Sequence, residues 1–169
     1  MKPLRICYVI PNLDLGGSES HVVGLVQGLR SRGHQAEIAC VFEEGALGPA
    51  AHDQTVPVKA LKITTWGIQA MAAIYRHLVS FRPDILHTYL FGLHFFAGLP
   101  GRLLNVPVIC SSRRDVELSQ TQKVLRMEKL GNLFVDHVVC CSKAVETWVL
   151  GRENLKPGRL SNIYNGIDA

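Results

Sequence analysis

The chain has 169 residues, 47% of them apolar and 19% charged, a balance that excludes a disordered or low-complexity polypeptide. At ~100–200 residues per domain it is one domain, and it buries roughly 70% of the surface its unfolded form exposes, so it needs no crosslinks. Lysine and arginine number 18 against 14 acidic residues, a net charge of +4, too small for a nucleic-acid binder yet suited to phosphates or an anionic membrane surface.

Arg5–Ile10 (RICYVI) is the first expected strand, closed by Pro11-Asn12. From Ser18 to about Ser31, Val22, Val23, Leu25, Val26 and Leu29 recur at helical spacing, and Gly33 ends the helix. Gln35–Phe42 is the second strand, followed by Glu43-Glu44-Gly45 and a short irregular stretch. Thr55–Ala60 reads as a third strand, pushed toward an edge by Pro57. Trp66–Phe81 is a helix, Asp84–Leu90 (DILHTYL) a strand, Gly92–Leu104 a helix and Pro107–Ser111 (PVICS) a strand. Ser119–Phe134 is helical and Asp136–Cys141 is a strand. Ser142–Leu150 is a short helix with Ser142 as N-cap, and Leu160–Tyr164 is the last strand.

Strands alternating with helices imply βαβ units. The expected fold is α/β: a doubly wound, Rossmann-like parallel sheet in three α/β/α layers, covered on both faces. The five cysteines lie in or at the end of strand-like apolar runs without C-x-x-C spacing. Reduced core thiols and a cytoplasmic location are expected. The run Leu4–Ile10 is broken by Arg5 and too short for a secretory signal. No stretch reaches the ~20 apolar residues of a membrane span.

Ligands of such sheets bind outside the carboxyl ends of the strands. The first segment there is Pro11 to Glu19, where Gly16 and Gly17 let a ligand approach the backbone and free N–H groups favour an anion. An ordinary turn capped by Ser18 is an equal alternative. Neither G-x-G-x-x-G nor the P-loop pattern is present. The second is His87, followed by Thr88 and Tyr89. It can bond a ligand hydroxyl or exchange a proton, or be a satisfied, half-buried side chain. His94, beside Phe95 and Phe96, reads as packing, and no donors stand at metal-ligand spacing. The third is Ser111 to Asp115, in which Arg113 and Arg114 are suited to grip a phosphate. The competing role is a salt bridge to Asp115 or Glu117.

Taken in order, the Gly-Gly-x-Glu loop, P-D-I-L-H-T, V-V-C-C-S-K-A-V and I-Y-N-G-I-D resemble the N-terminal half of a GT-B glycosyltransferase of the family-four ("group 1") retaining class. Gly16, Gly17 and Glu19 match the family's loop, His87 its strand-end histidine and Ser142 its serine-opened helix. Asn165 to Asp168 match the segment leading into the second domain. The resemblance implies an acceptor-side domain over residues 1–164 and the start of a linker at 165–169, with the donor-binding domain outside the chain. It implies a nucleotide-sugar as substrate, no cofactor or metal, and an acceptor that is a glycan, lipid-linked or a small molecule. The expected substrate-binding residues are Gly16, Gly17, Glu19, His87, Tyr89, Arg113, Arg114 and Ser142, with His87 as the candidate catalytic residue. Many family members have a histidine where alignment on Pro107 puts Arg113; here Arg113 or Arg114 is expected to contact donor diphosphate or acceptor phosphate.

Two other classes share this element order. A nicotinamide-dependent oxidoreductase would use Glu43 or Glu44 for a ribose, but its glycine spacing is missing. A flavodoxin-like binding module of the receiver type needs an acidic cluster, and Asp14 stands alone after the first strand. Lys123, Arg126 and Lys129 recur every third residue on one helix, and Phe91, Phe95 and Phe96 cluster nearby. Peripheral contact with the inner face of a membrane is therefore an expectation, against a solvated stripe and core phenylalanines.

Overall fold

The computed structural model describes residues 2–90, 92–116 and 121–166. Its elements alternate from the start: β1 (Arg5–Ile10), α1 (Gly17–Ser31), β2 (Gln35–Cys40), α2 (Gly48–Asp53), β3 (Val58–Ala60), α3 (Ile68–Phe81) and β4 (Ile85–Tyr89). They continue with α4 (Leu93–Leu103), β5 (Val108–Arg113), α5 (Gln122–Gly131), β6 (His137–Cys140), α6 (Lys143–Arg152) and β7 (Leu160–Asn162). The strands form one seven-stranded sheet in the order β3-β2-β1-β4-β5-β6-β7. Every pairing is parallel, so the order reverses between β1 and β4. The doubly wound, Rossmann-like α/β architecture is as expected.

Strand alternation divides the core in two. Ile6, Tyr8 and Ile10 of β1 pack with Val22, Val23 and Val26 of α1 and Ala51 of α2. Cys7 and Val9 point the other way, toward Ile74 and Leu78 of α3, Leu93 and Ala97 of α4 and Val145 and Val149 of α6. On the α1 side, the half of the sheet formed by β5 to β7 is thinly covered. Val108 is 38% exposed, and Cys110, His137 and Val139 are half-buried. Coverage of both faces thus holds fully only for the β1–β4 half among the described residues. The five thiols are free, with Cys7, Cys40 and Cys140 buried.

Several boundaries differ from the sequence expectation. β2 ends at Cys40 rather than Phe42, α5 at Gly131 rather than Phe134 and β7 at Asn162 rather than Tyr164. The irregular stretch after β2 holds the helix α2, with a proline in its first turn. The third strand shrinks to Val58–Ala60 and is the sheet edge, consistent with Pro57. α3 starts at Ile68 rather than Trp66, because Gly67 adopts φ +142°. β5 runs on to Arg113 instead of stopping at Ser111, and this last difference changes the site.

Candidate functional site

The crevice lies at the carboxyl ends of β1, β4 and β5. Its floor begins with the β1–α1 loop. The Leu13 amide donates to the Glu44 carbonyl at 3.2 Å, and the Leu47 amide donates to the Leu13 carbonyl at 2.8 Å. Gly45 makes this closure fit: it holds φ +69°, and a Cβ there would stand 2.5 Å from the Leu13 carbonyl carbon. The loop delivers Gly16 as the N-cap of α1 with no side-chain cap, so Ser18 is not the capping residue. Orphan N–H groups of the first turn are left for an anion. Glu19 folds back over Gly16, where a Cβ would lie 2.3 Å from its Oε2.

β4 supplies His87 and Tyr89. His87 Nε2 lies 2.9 Å from Ser112 Oγ, and its ring forms a three-ring cluster with Tyr8 at 5.2 Å and Tyr89 at 5.1 Å. Burial, then the charges of Arg114 and His21, push its pKa down to about 3. His87 is therefore a neutral, hydrogen-bonded imidazole at physiological pH. Tyr89 is buried, and its Oη lies 3.3 Å from His21 Nδ1. Burial and Arg114 also hold the pKa of His21 below its ordinary value.

The two arginines part company. Along β5, Ile109, Ser111 and Arg113 face α3–α6, whereas Cys110 and Ser112 face the α1 side. Arg113 is 0% exposed. Its Nε donates to Glu153 Oε1 at 3.0 Å, and its Nη2 donates to Glu153 Oε2 at 2.9 Å and Asn132 Oδ1 at 3.0 Å. Glu128 Oε2 lies 3.4 Å away, and His94 Nε2 is 3.1 Å from Nη2. This guanidinium is enclosed by partners on α4, α5 and the end of α6. The expectation that Arg113 grips a phosphate is corrected: it is a buried structural cation, paired with Glu153 and Glu128. Asp115 is not among its partners in the described residues, and Glu117 lies outside them.

Arg114, just past the strand, turns to the α1 side. Its Cζ stands 5.8 Å from the centre of the Tyr89 ring, and its Nη2 donates to Asn165 Oδ1. Its Nε is buried without a hydrogen-bond partner among the described residues. Ser142 caps α6, its Oγ accepting from the Val145 amide at 3.2 Å, so that hydroxyl is engaged locally.

The structure thus gathers the start of α1, His87, Tyr89 and Arg114 on one side of the sheet, and leaves Arg113 on the other. A cleft of about 840 Å³ runs along α1 past Gly17, His21, Gly24 and Gly28, with Asn165 and Gly166 as its other lip. His21 was missed by the sequence reading. Its signal is a position four residues after Gly17, which places both on one helix face. Also missed was the group Cys7, Glu37 and His77, whose donor atoms lie within 4.8 Å of one another. They come from β1, β2 and α3, so no local spacing announces them, and Cys7 faces the α3 side of the sheet, opposite the crevice residues.

No curated protein matches the sequence. The structure is similar to the Anabaena Alr3699/HepE in complex with UDP, at TM-score 0.83 and 17% identity over 98% of this chain and 45% of that one. It is similar to a glycosyltransferase from Rickettsia africae, at TM-score 0.80 and 12% identity over 99% and 44% of the two chains. The lipopolysaccharide outer core galactosyltransferase WaaB gives TM-score 0.71 and 13% identity over 96% and 46%. The chain therefore spans just under half the length of these proteins. At such identities the likeness shows the fold, here that of one half of GT-B proteins. The sequence model of Glycosyltransferase Family 4 matches residues 15–169, and the chain belongs to that family.

Proposed function

We propose that this chain is the acceptor-side half of a two-domain enzyme that moves a sugar from a nucleotide-sugar to an acceptor with retention of configuration. Residues 165–169 would lead into a donor-binding domain, and residues 1–164 alone would not turn over. The observation that carries this reading is Arg114, a cation at the crevice mouth facing the side of the sheet where α1 begins uncapped. Two further facts support it. HepE is solved with UDP and with UDP and glucose, and WaaB is described as a galactosyltransferase.

In the proposed reaction the bond from the anomeric carbon to the diphosphate oxygen breaks, and the acceptor oxygen bonds to that carbon from the same face. The acceptor's proton passes to the departing diphosphate. Arg114 and the first-turn amides of α1 stabilise the charge that develops there. Gly17, where an added Cβ would meet nothing within 4 Å, allows the phosphates close approach, and Gly16 does so once the Glu19 carboxylate folded over it swings away. His87 and His21, both held neutral, orient hydroxyl groups rather than take protons, so positioning carries the rate. Closure of the two domains would exclude water and limit hydrolysis of the donor. The nucleotide-sugar is a substrate here, and the scheme uses no metal or other cofactor.

Among the described residues no helix is long and apolar enough to cross a membrane. We place the enzyme in the cytoplasm, meeting the inner membrane face through α5. The test is turnover. The 169-residue chain should transfer no sugar, and the full-length polypeptide should transfer one with its anomeric configuration kept. Mutation-sensitive transfer by the 169-residue chain, or an inverted product, overturns the reading.

A further inference from the structure

Trp66 is held in an unusual position for so large a ring. It is 42% exposed, yet it is fixed by Phe42 at 4.8 Å edge-on and by Phe96 at 4.9 Å in a stack. One side of the indole is packed and the remainder faces a cleft of about 500 Å³. Across that cleft stand Val124, Met127 and Lys123 of α5, and Gly92 closes one end. Trp66 follows β3 and Gly92 follows β4, so the cleft opens at the carboxyl end of the sheet. It lies on the α3–α6 side, whereas Arg114 and His21 lie on the α1 side.

The lining decides the ligand class. Apart from the single indole N–H of Trp66, the side chains of Trp66, Phe96, Val124 and Met127 offer no hydrogen bond to replace the water on a sugar or a bare phosphate. They suit a flexible hydrocarbon, and methionine beside aromatic rings adapts well to one. Lys123 is the charged member, exposed at the rim, with Arg126 and Lys129 exposed further along the same helix. Ile68, next to Gly67, is 79% exposed and extends the apolar surface outward. An apolar slot with a cation at its mouth is complementary to an anionic amphiphile.

We infer that this cleft seats the hydrocarbon chain of an acceptor whose anionic head group is held by Lys123. The inference rests on the reading of the chain as an acceptor-side domain, and names the chemical class of that acceptor. The chain's anchor would lie on one side of β4 and the transfer chemistry on the other. Gly92, Tyr89 and His87 connect the two along a single strand and its exit.

The test uses the 169-residue chain and farnesyl phosphate below its aggregation concentration, without donor or membrane. Tryptophan emission should change saturably, and the change should vanish in Trp66→Phe while Trp148 still emits. Lys123→Gln should weaken binding roughly tenfold, as expected for one charge-assisted contact. Met127→Gln, a half-buried site at which the fold should survive, should weaken it as well. Farnesol should bind more weakly than farnesyl phosphate, and inorganic phosphate should not compete. The inference is overturned by no saturable change, by farnesol binding equally well, by competition from phosphate, or by Lys123→Gln binding as wild type. Failure here leaves sugar transfer untouched, because no turnover is measured; that reading falls only in the transfer assay.

Discussion

Arg113 Nη2 lies 2.9 Å from Glu153 Oε2, and both side chains are fully buried. Arg114, the next residue, stacks over Tyr89 on the opposite side of the sheet. A one-residue step along an extended chain reverses the side-chain direction, so two adjacent cations serve two purposes. One joins β5 to the helices behind it, and the other faces the crevice.

Removing Arg113 leaves Glu153 and Glu128 buried without their cation. Breaking such a pair costs ~3–5 kcal/mol. Urea denaturation should show Arg113→Ala losing stability of that order, while Arg114→Ala stays within ~0.5 kcal/mol of the parent. Equal stability of the two variants would contradict the division of roles.

Acid stability should report the buried imidazole of His87. Its folded pKa is pushed from 6.5 to about 3, so below pH 6.5 the unfolded chain binds a proton that the folded one refuses. Stability is then complete above pH 6.5 and declines as pH falls toward 3. His94 is depressed in the same direction by burial and Arg113, so it adds to the slope. His87→Asn should make the stability–pH curve shallower in this window without abolishing the decline. A steeper curve, or an unchanged one, would mean that His87 is charged in the folded protein.

The surface proposed to meet a membrane has a different composition from the one the sequence suggested. Phe96 is buried and Phe95 packs half-buried against the core, while Phe91 lies outside the described residues. The basic side chains Lys123, Arg126 and Lys129 are exposed on α5, and the apolar residues beside them are Leu130 and Leu133. Each basic residue near an anionic surface contributes ~1 kcal/mol. Changing all three to Gln should lower co-sedimentation with anionic vesicles by roughly a hundredfold in affinity, with wild-type binding weakened by salt. No binding by the wild type at low salt contradicts it.

The fold was legible because each strand is a short β-branched run and each helix repeats at its own period. The order of those runs is enough to specify a parallel sheet. Ser142 was legible too, since capping is a local act between Ser142 and Val145. Arg113 was misjudged through one boundary. Ending β5 at Ser111 makes Arg113 and Arg114 loop neighbours; extending it to Arg113 fixes their opposite directions. Glu153 lies forty residues away in sequence from Arg113, so no spacing rule connects them. Gly16 rather than Ser18 caps α1 because the loop is closed from behind by Leu13 and Gly45, a tertiary constraint. His21 acquires its meaning only when β4 brings Tyr89 beneath it.

The central claim is that Arg114, and not Arg113, meets the charge of the transferring diphosphate. The most direct measurement is kcat/KM for sugar transfer by the full-length enzyme carrying Arg114→Ala, with folding checked by thermal denaturation. A lost charge-assisted contact of ~1.5–3 kcal/mol predicts a fall of roughly ten- to a hundredfold with the fold intact. Wild-type kcat/KM in a folded Arg114→Ala enzyme would contradict the account.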